Sequence, residues 1–273
     1  MTFEEYRAIS HAVPYVLEVQ DGNGGELIYF GARHSYEPDD PQCRWIEQLW
    51  TDFRPAIAFN EGGDPPALSS AAEAISHHGE AGLVRFLAAR DGVPVKSLEP
   101  TLDQLVDDAL AAGFSPQQVK LYHALLPWIS YRQSAGAEPL EAFMGRVLSS
   151  LSQFQSLQGP PRDVRELDSV FAELFPEQPD WRSVPREWFD PAANGTFLNA
   201  LARRVSELRD VHMVGLLSDA VRRGERVFAV VGASHVVMQE PALTSAHDRA
   251  RAWTVSHVSA RGGIATQPAP RGD

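Results

Sequence analysis

The stretch ELIYFGARH, residues 26–34, decides how this chain is read. A mostly apolar, strand-forming run meets a glycine, and a histidine follows three residues later. The same grammar returns in RVFAVVGASH, residues 226–235. A short continuous apolar run bounded by turn residues is the pattern of a strand buried on both faces. A polar residue just past such a strand stands at the sheet edge where α/β proteins keep their ligands. One Gly-x-x-His is a weak signal. Two in matching contexts point to a shared site built around His34 and His235.

Outward from the first stretch the alternation continues. Residues 15–20 form another strand-like run, and Asp21-Gly22-Asn23-Gly24-Gly25 joins the two as a hairpin. Asp40 and Pro41 suit the N-cap and first position of a helix, with Trp45, Ile46, Leu49 and Trp50 at helical spacing. A strand over 55–60 ends at Glu61-Gly62-Gly63, and an Ala-rich helix follows over 68–90. A strand over 93–98 ends at Glu99-Pro100, and Thr101 with Gln104 forms a capping box. Strands alternating with helices predict an α/β fold: a mixed central sheet flanked by helices, as one domain over 1–273.

Residues 115–190 lose the strand pattern and read as helices broken by Pro139, Pro160, Pro161, Pro176 and Pro185. The expectation is a helical insertion, a lid over the cleft. Its Trp128, Trp181 and Trp188 read as core or interface aromatics. A long amphipathic helix is expected over 195–223, a last strand over 253–258, and a disordered tail over 262–273.

Composition removes several classes. With 24 basic against 36 acidic residues the net charge is −12, and no basic stripe is present. Phosphate binding needs clustered Lys and Arg, so nucleic acid is not an expected partner. Cys43 stands alone, which excludes an internal disulfide and a Cys-rich zinc site. The first residues carry acids where a secretion signal carries positive charge, and no run reaches the roughly 18 apolar residues of a membrane helix. These features predict a cytoplasmic protein with no membrane partner; a small-molecule or peptide substrate is expected from the strand-end site.

Glu61 and Glu99 follow short apolar strands, on the same sheet edge as His34. Glu61 ranks first, because Gly62-Gly63 leaves room for a ligand. Arg209, just ahead of the second histidine strand, is placed to orient a carboxylate or hold an oxyanion. Together His34, Glu61 and His235 would supply the two-nitrogen, one-oxygen set of an open catalytic metal site. Ser234 fails as a nucleophile, since Val236 stands where a Gly-x-Ser-x-Gly elbow needs glycine. His77-His78-Gly79-Glu80 lacks the H-E-x-x-H spacing and reads as a solvated helix end.

The order Gly31-x-x-His34, Glu61, Arg209-Asp210-x-x-Met213, Gly232-x-x-His235 resembles the TraB/Tiki superfamily, which takes in Tiki-type metalloproteases, erythromycin esterase-like and ChaN-like proteins. The resemblance runs in islands between residues 28 and 238. It implies that His34 and His235 match the family histidines, Glu61 the family glutamate and Arg209 the family arginine. Glu99 is similar to an additional acid of the esterase branch. Departures are the Ala32-Arg33 pair inside the first motif and the missing signal or membrane segment. The implied activity is hydrolysis of a peptide, amide or ester bond by water activated at a His/Glu site. In the Tiki branch this implies a divalent metal (Mn, Co or Zn) on His34, Glu61 and His235; in the esterase branch, a histidine base alone. The ChaN branch implies instead a small-molecule or haem-binding protein without catalysis.

Overall fold

A computed structural model describes residues 1–133, 138–178, 180–258 and 264–268. The chain separates into two compact units, Met1–Glu99 with Arg209–Asp273, and Pro100–Leu208. The helical unit is therefore longer than the expected insertion over 115–190.

The first unit opens with a short helix α1 (Phe3–Arg7), then a hairpin of β1 (Tyr15–Gln20) and β2 (Glu26–Ala32). Next come α2 (Pro41–Phe53), β3 (Ile57–Asn60), α3 (Ala71–Asp91) and β4 (Val95–Ser97). After the helical unit the chain returns through α8 (Phe197–Arg222) to β5 (Arg226–Gly232), α9 (Ala233–Ala246), β6 (Arg249–Val258) and β7 (Ile264–Pro268). The strands form one mixed sheet in the order β4-β3-β5-β2-β1-β6-β7. Its first four strands are parallel, and β1, β6 and β7 add on antiparallel.

The apolar runs are buried on both faces because both faces carry helices. One residue set (Leu27, Tyr29, Val227, Ala229, Val231) packs with Met213, Leu217 and Val221 of α8 and Val236 and Val237 of α9. The alternate set (Ile28, Phe30, Phe228, Val230) packs with Ile46 and Trp50 of α2 and Leu83, Val84 and Leu87 of α3. The two-residue period of a strand makes this division. Local chemistry sets the helix starts: Asp40 accepts from the Gln42 N–H at 3.1 Å, with Pro41 in the first turn. Trp50 donates its indole N–H to Asp91 at 2.8 Å, which ties α2 to the end of α3.

The second unit holds α4 (Leu102–Ala111), α5 (Pro116–Gln133), α6 (Leu140–Leu151), α7 (Val164–Leu174) and the first turns of α8. Its own core includes Leu121, Leu148, Leu167, Phe171 and Leu201. Trp128 and Trp181 are buried in it, ring centroids 5.3 Å apart, while Trp188 packs on Phe175. The capping box expected at Thr101 is present.

Two expectations at the C-terminus change. The last strands are longer and more numerous than a single run over 253–258. The tail expected to be disordered over 262–273 contains β7, which pairs with β6; residues 262–263 and 269–273 lie outside the described residues. Among the described residues no helix is long and apolar enough to cross a membrane.

Candidate functional site

Parallel strands end on the same edge, so the register alone brings the candidate residues together. Ala32 of β2 pairs with Gly232 of β5, and Asn60 of β3 with Val230. His34 stands two residues past β2, Glu61 one past β3 and Glu99 two past β4. His235 lies in the first turn of α9, directly after β5.

The two motif glycines have different tasks. A Cβ on Gly31 would lie 2.8 Å from Ala233 Cα and 2.8 Å from the Tyr15 carbonyl, so glycine lets α9 start against the sheet. A Cβ on Gly232 would lie 2.9 Å from His34 Nε2 and 3.5 Å from Glu61 Oε2. Glycine at 232 therefore leaves the space into which His34 turns its Nε2.

A dense charge cluster lies beside that point. Arg209 donates through Nε to Glu99 Oε2 at 2.8 Å and through Nη2 to Glu99 Oε1 at 2.7 Å and Glu61 Oε1 at 2.8 Å. Glu61 Oε2 accepts the Gly232 N–H at 2.7 Å. His235 Nδ1 meets Asp210 Oδ1 at 2.7 Å, and its Nε2 stands 3.4 Å from Glu61 Oε1. Three carboxylates thus surround two cationic side chains, all largely withdrawn from solvent.

Burial would push the carboxyl of Glu61 up, but His235, Arg209 and the Gly232 N–H outweigh it and hold Glu61 well below the usual carboxylate range. Burial pushes the His235 imidazole down. Its hydrogen bonds to Asp210 and Glu61 overcome that and raise it to about 9, so it is an imidazolium at neutral pH. Burial opposes the charge of Arg209 as well, and Glu99 and Glu61 more than offset it.

His34 is different: its side chain is 62% exposed. Its Nδ1 lies 2.5 Å from Glu80 Oε1, and this bond, against partial burial, raises the imidazole above its ordinary value. A carboxylate accepts, so Nδ1 carries the hydrogen and the neutral ring keeps its lone pair on Nε2. A pocket of about 320 Å³ opens here, lined by His34, Tyr36, Glu61, His77, His78 and Glu80 among others.

Sequence reasoning placed His34, Glu61, Glu99, Arg209 and His235 in one site, and the fold brings all five to one sheet edge. It misjudged the segment 77–80. His77 is exposed there, but Glu80 is buried and bonded to His34. The overlooked signal was a glycine inside a helix followed by an acid. Asp210 was visible beside Arg209 but had no assigned role; it also accepts from Gln239 Nε2 at 2.7 Å, and Gln239 Oε1 takes the Tyr29 hydroxyl at 2.8 Å. Asn60 is fully buried and donates to the Glu61 and Gly63 carbonyls at 2.8 Å, while Arg85 Nε donates to its Oδ1 at 2.9 Å, fixing the loop after β3. Cys43 is buried and its thiol is pushed up to about 11, so it is not a nucleophile of this site.

The ligand set His34, Glu61 and His235 does not fit a divalent ion. Both Glu61 oxygens are engaged, by Arg209 and by Gly232. Among the described residues no group of three His, Cys, Asp or Glu is arranged to hold a metal.

Comparison of the chain with protein-family models, with curated proteins and with solved structures finds no match.

Proposed function

We propose that this protein is a hydrolase that adds water across an ester, amide or peptide bond, with His34 as the general base. One observation carries the reading. The lone-pair nitrogen of an exposed imidazole and a buried charge cluster converge on Gly232, and His34 and Glu61 both line one pocket. The resemblance to the TraB/Tiki superfamily agrees with it.

In this reading His34 Nε2 takes a proton from water as the oxygen adds to the substrate carbonyl. The carbonyl oxygen gains negative charge, and the His235 imidazolium at the start of α9 supplies the positive charge that favours it. The tetrahedral species collapses, and His34 returns its proton to the departing alkoxide or amine. The products are an acid and an alcohol or amine, and His34 ends neutral. Glu61, Glu99 and Asp210 hold Arg209 and His235 in place, so little reorganisation accompanies the developing charge.

The test is hydrolysis of p-nitrophenyl esters, amino-acid anilides and a mixed peptide pool by the purified chain, beside His34→Asn. The variant is expected to stay folded, with a melting temperature lowered by the loss of the Glu80 partner, and to lose about 10²–10⁴-fold in kcat. Equal rates in the two proteins, or no hydrolysis of any probe by the wild type, would overturn the proposal.

A further inference from the structure

Glu80 is an acid that the segment around it does not explain. Its side chain is 8% exposed, and burying a carboxylate is expensive unless a partner compensates it. That partner is His34 Nδ1, 46 residues away in sequence, and Glu80 comes from a different element. Glu80 directly follows a break in α3, where the chain leaves helical geometry at Gly79, with φ 58 and ψ −146. That conformation is open to glycine and strained for other residues. The same glycine is packed against the loop that carries His34: a Cβ there would stand 3.0 Å from the Ser35 carbonyl oxygen. Break, loop and buried acid are fitted to one another.

We infer that Glu80 is the positioning residue for His34, and that the break at Gly79 exists to deliver it. The inference rests on the reading of His34 as the base. By accepting from Nδ1–H, Glu80 selects the ring tautomer with the lone pair on Nε2. It also fixes the ring plane, so that Nε2 stays directed at Gly232 and Glu61. Without it the exposed ring is free to rotate about two torsions and to exchange tautomers. The consequence falls on the oriented fraction of base, not on substrate binding.

The experiment uses the full chain labelled with ¹⁵N-histidine, observed by NMR, and p-nitrophenyl acetate as the kinetic probe. Wild-type His34 should show a far-downfield Nδ1–H proton and the ring-nitrogen shifts of a ring protonated at Nδ1. Glu80→Ala should abolish that proton signal, mix the tautomers, and lower kcat by about 10²-fold with KM unchanged. Glu80→Gln keeps an acceptor in place and should restore the tautomer, with the proton signal moved upfield and kcat partly recovered. Retention of the wild-type signal and tautomer in Glu80→Ala would overturn the inference. If Glu80→Ala does not fold, Glu80→Gln decides alone: an unmoved proton signal with unchanged kcat overturns it. Should the wild type hydrolyse none of the probes, the hydrolase reading falls by itself, and the tautomer shifts still decide the role of Glu80.

Discussion

At the scale of single residues, Gly232 is the sharpest handle on the site. Its backbone, at φ −61 and ψ 142, suits any residue, so the requirement for glycine is one of space alone. The atom an added methyl would strike is the far end of the His34 ring, 2.9 Å away, and not backbone. The fold can therefore accept Gly232→Ala while the ring is pushed from its place. Loss of backbone freedom in the unfolded chain favours alanine by about 0.4–1 kcal/mol. The expected outcome is a melting temperature equal to or above wild type, with kcat for the ester probes reduced about 10²-fold, as for a base misplaced by an ångström. Full activity in Gly232→Ala would show that His34 does not work from the observed position. The pair Gly31 and Gly232 also shows what a motif hides: one spelling, Gly-x-x-His, covers two steric reasons.

At the scale of elements, the sheet divides its labour between edges. The C-terminal edge of the parallel strands carries the charged site. At the other edge the β1–β2 turn is fastened to α8 and to the segment after α9. His247, with its side chain fully buried, sits 2.9 Å from Asp21 Oδ1, off the hydrogen-bond angle, and 3.1 Å from Ser218 Oγ. Asp248 Oδ2 accepts the Gly22 N–H at 2.7 Å, and Asn23 donates to the Arg222 carbonyl at 2.6 Å. Serine, histidine and aspartate stand here in the order of a nucleophilic triad, yet Ser218 is 3% exposed. A nucleophile without access to substrate does no chemistry, and the group works as a clasp. Ser218→Ala is expected to cost about 1–3 kcal/mol, because it strips a buried imidazole nitrogen of its partner. Hydrolysis should not change. A drop in kcat with unaltered stability would instead assign this group to catalysis. The strands and most helix starts were legible in the sequence because periodicity and caps are local signals. The acid Glu80 was not legible, because its meaning depends on a backbone break that only the packing of Ser35 against Gly79 reveals.

At the scale of the whole molecule, the charge cluster ties stability to pH, and the sign follows from each shift. His235 titrates at about 9 in the folded chain against an ordinary value of 6.5. Its contribution is complete below pH 6.5 and is lost as pH rises through about 9. The size of that contribution is about 3 kcal/mol at most, since burial is deep and the partners share the charge. Glu61 acts in the opposite direction: its carboxyl is held below the ordinary 4.5, so its contribution is present above that pH and is lost on acidification. The fold class was legible here, and the engagement of the Glu61 oxygens was not. Sequence places two histidines and a glutamate at strand ends, but only the register shows that the Arg209 guanidinium and the Gly232 N–H engage both oxygens of Glu61. Thermal unfolding between pH 5 and pH 10 should show greatest stability near pH 5–6.5 and a decline toward pH 9. In a chain of this length the decline attributable to His235 is roughly 5–10 °C. In His235→Gln, which can still donate to Asp210 but carries no titrating charge, that alkaline decline should flatten, while the loss on acidification remains. An alkaline slope of wild-type size in His235→Gln would mean that the imidazolium does not hold this edge of the sheet together.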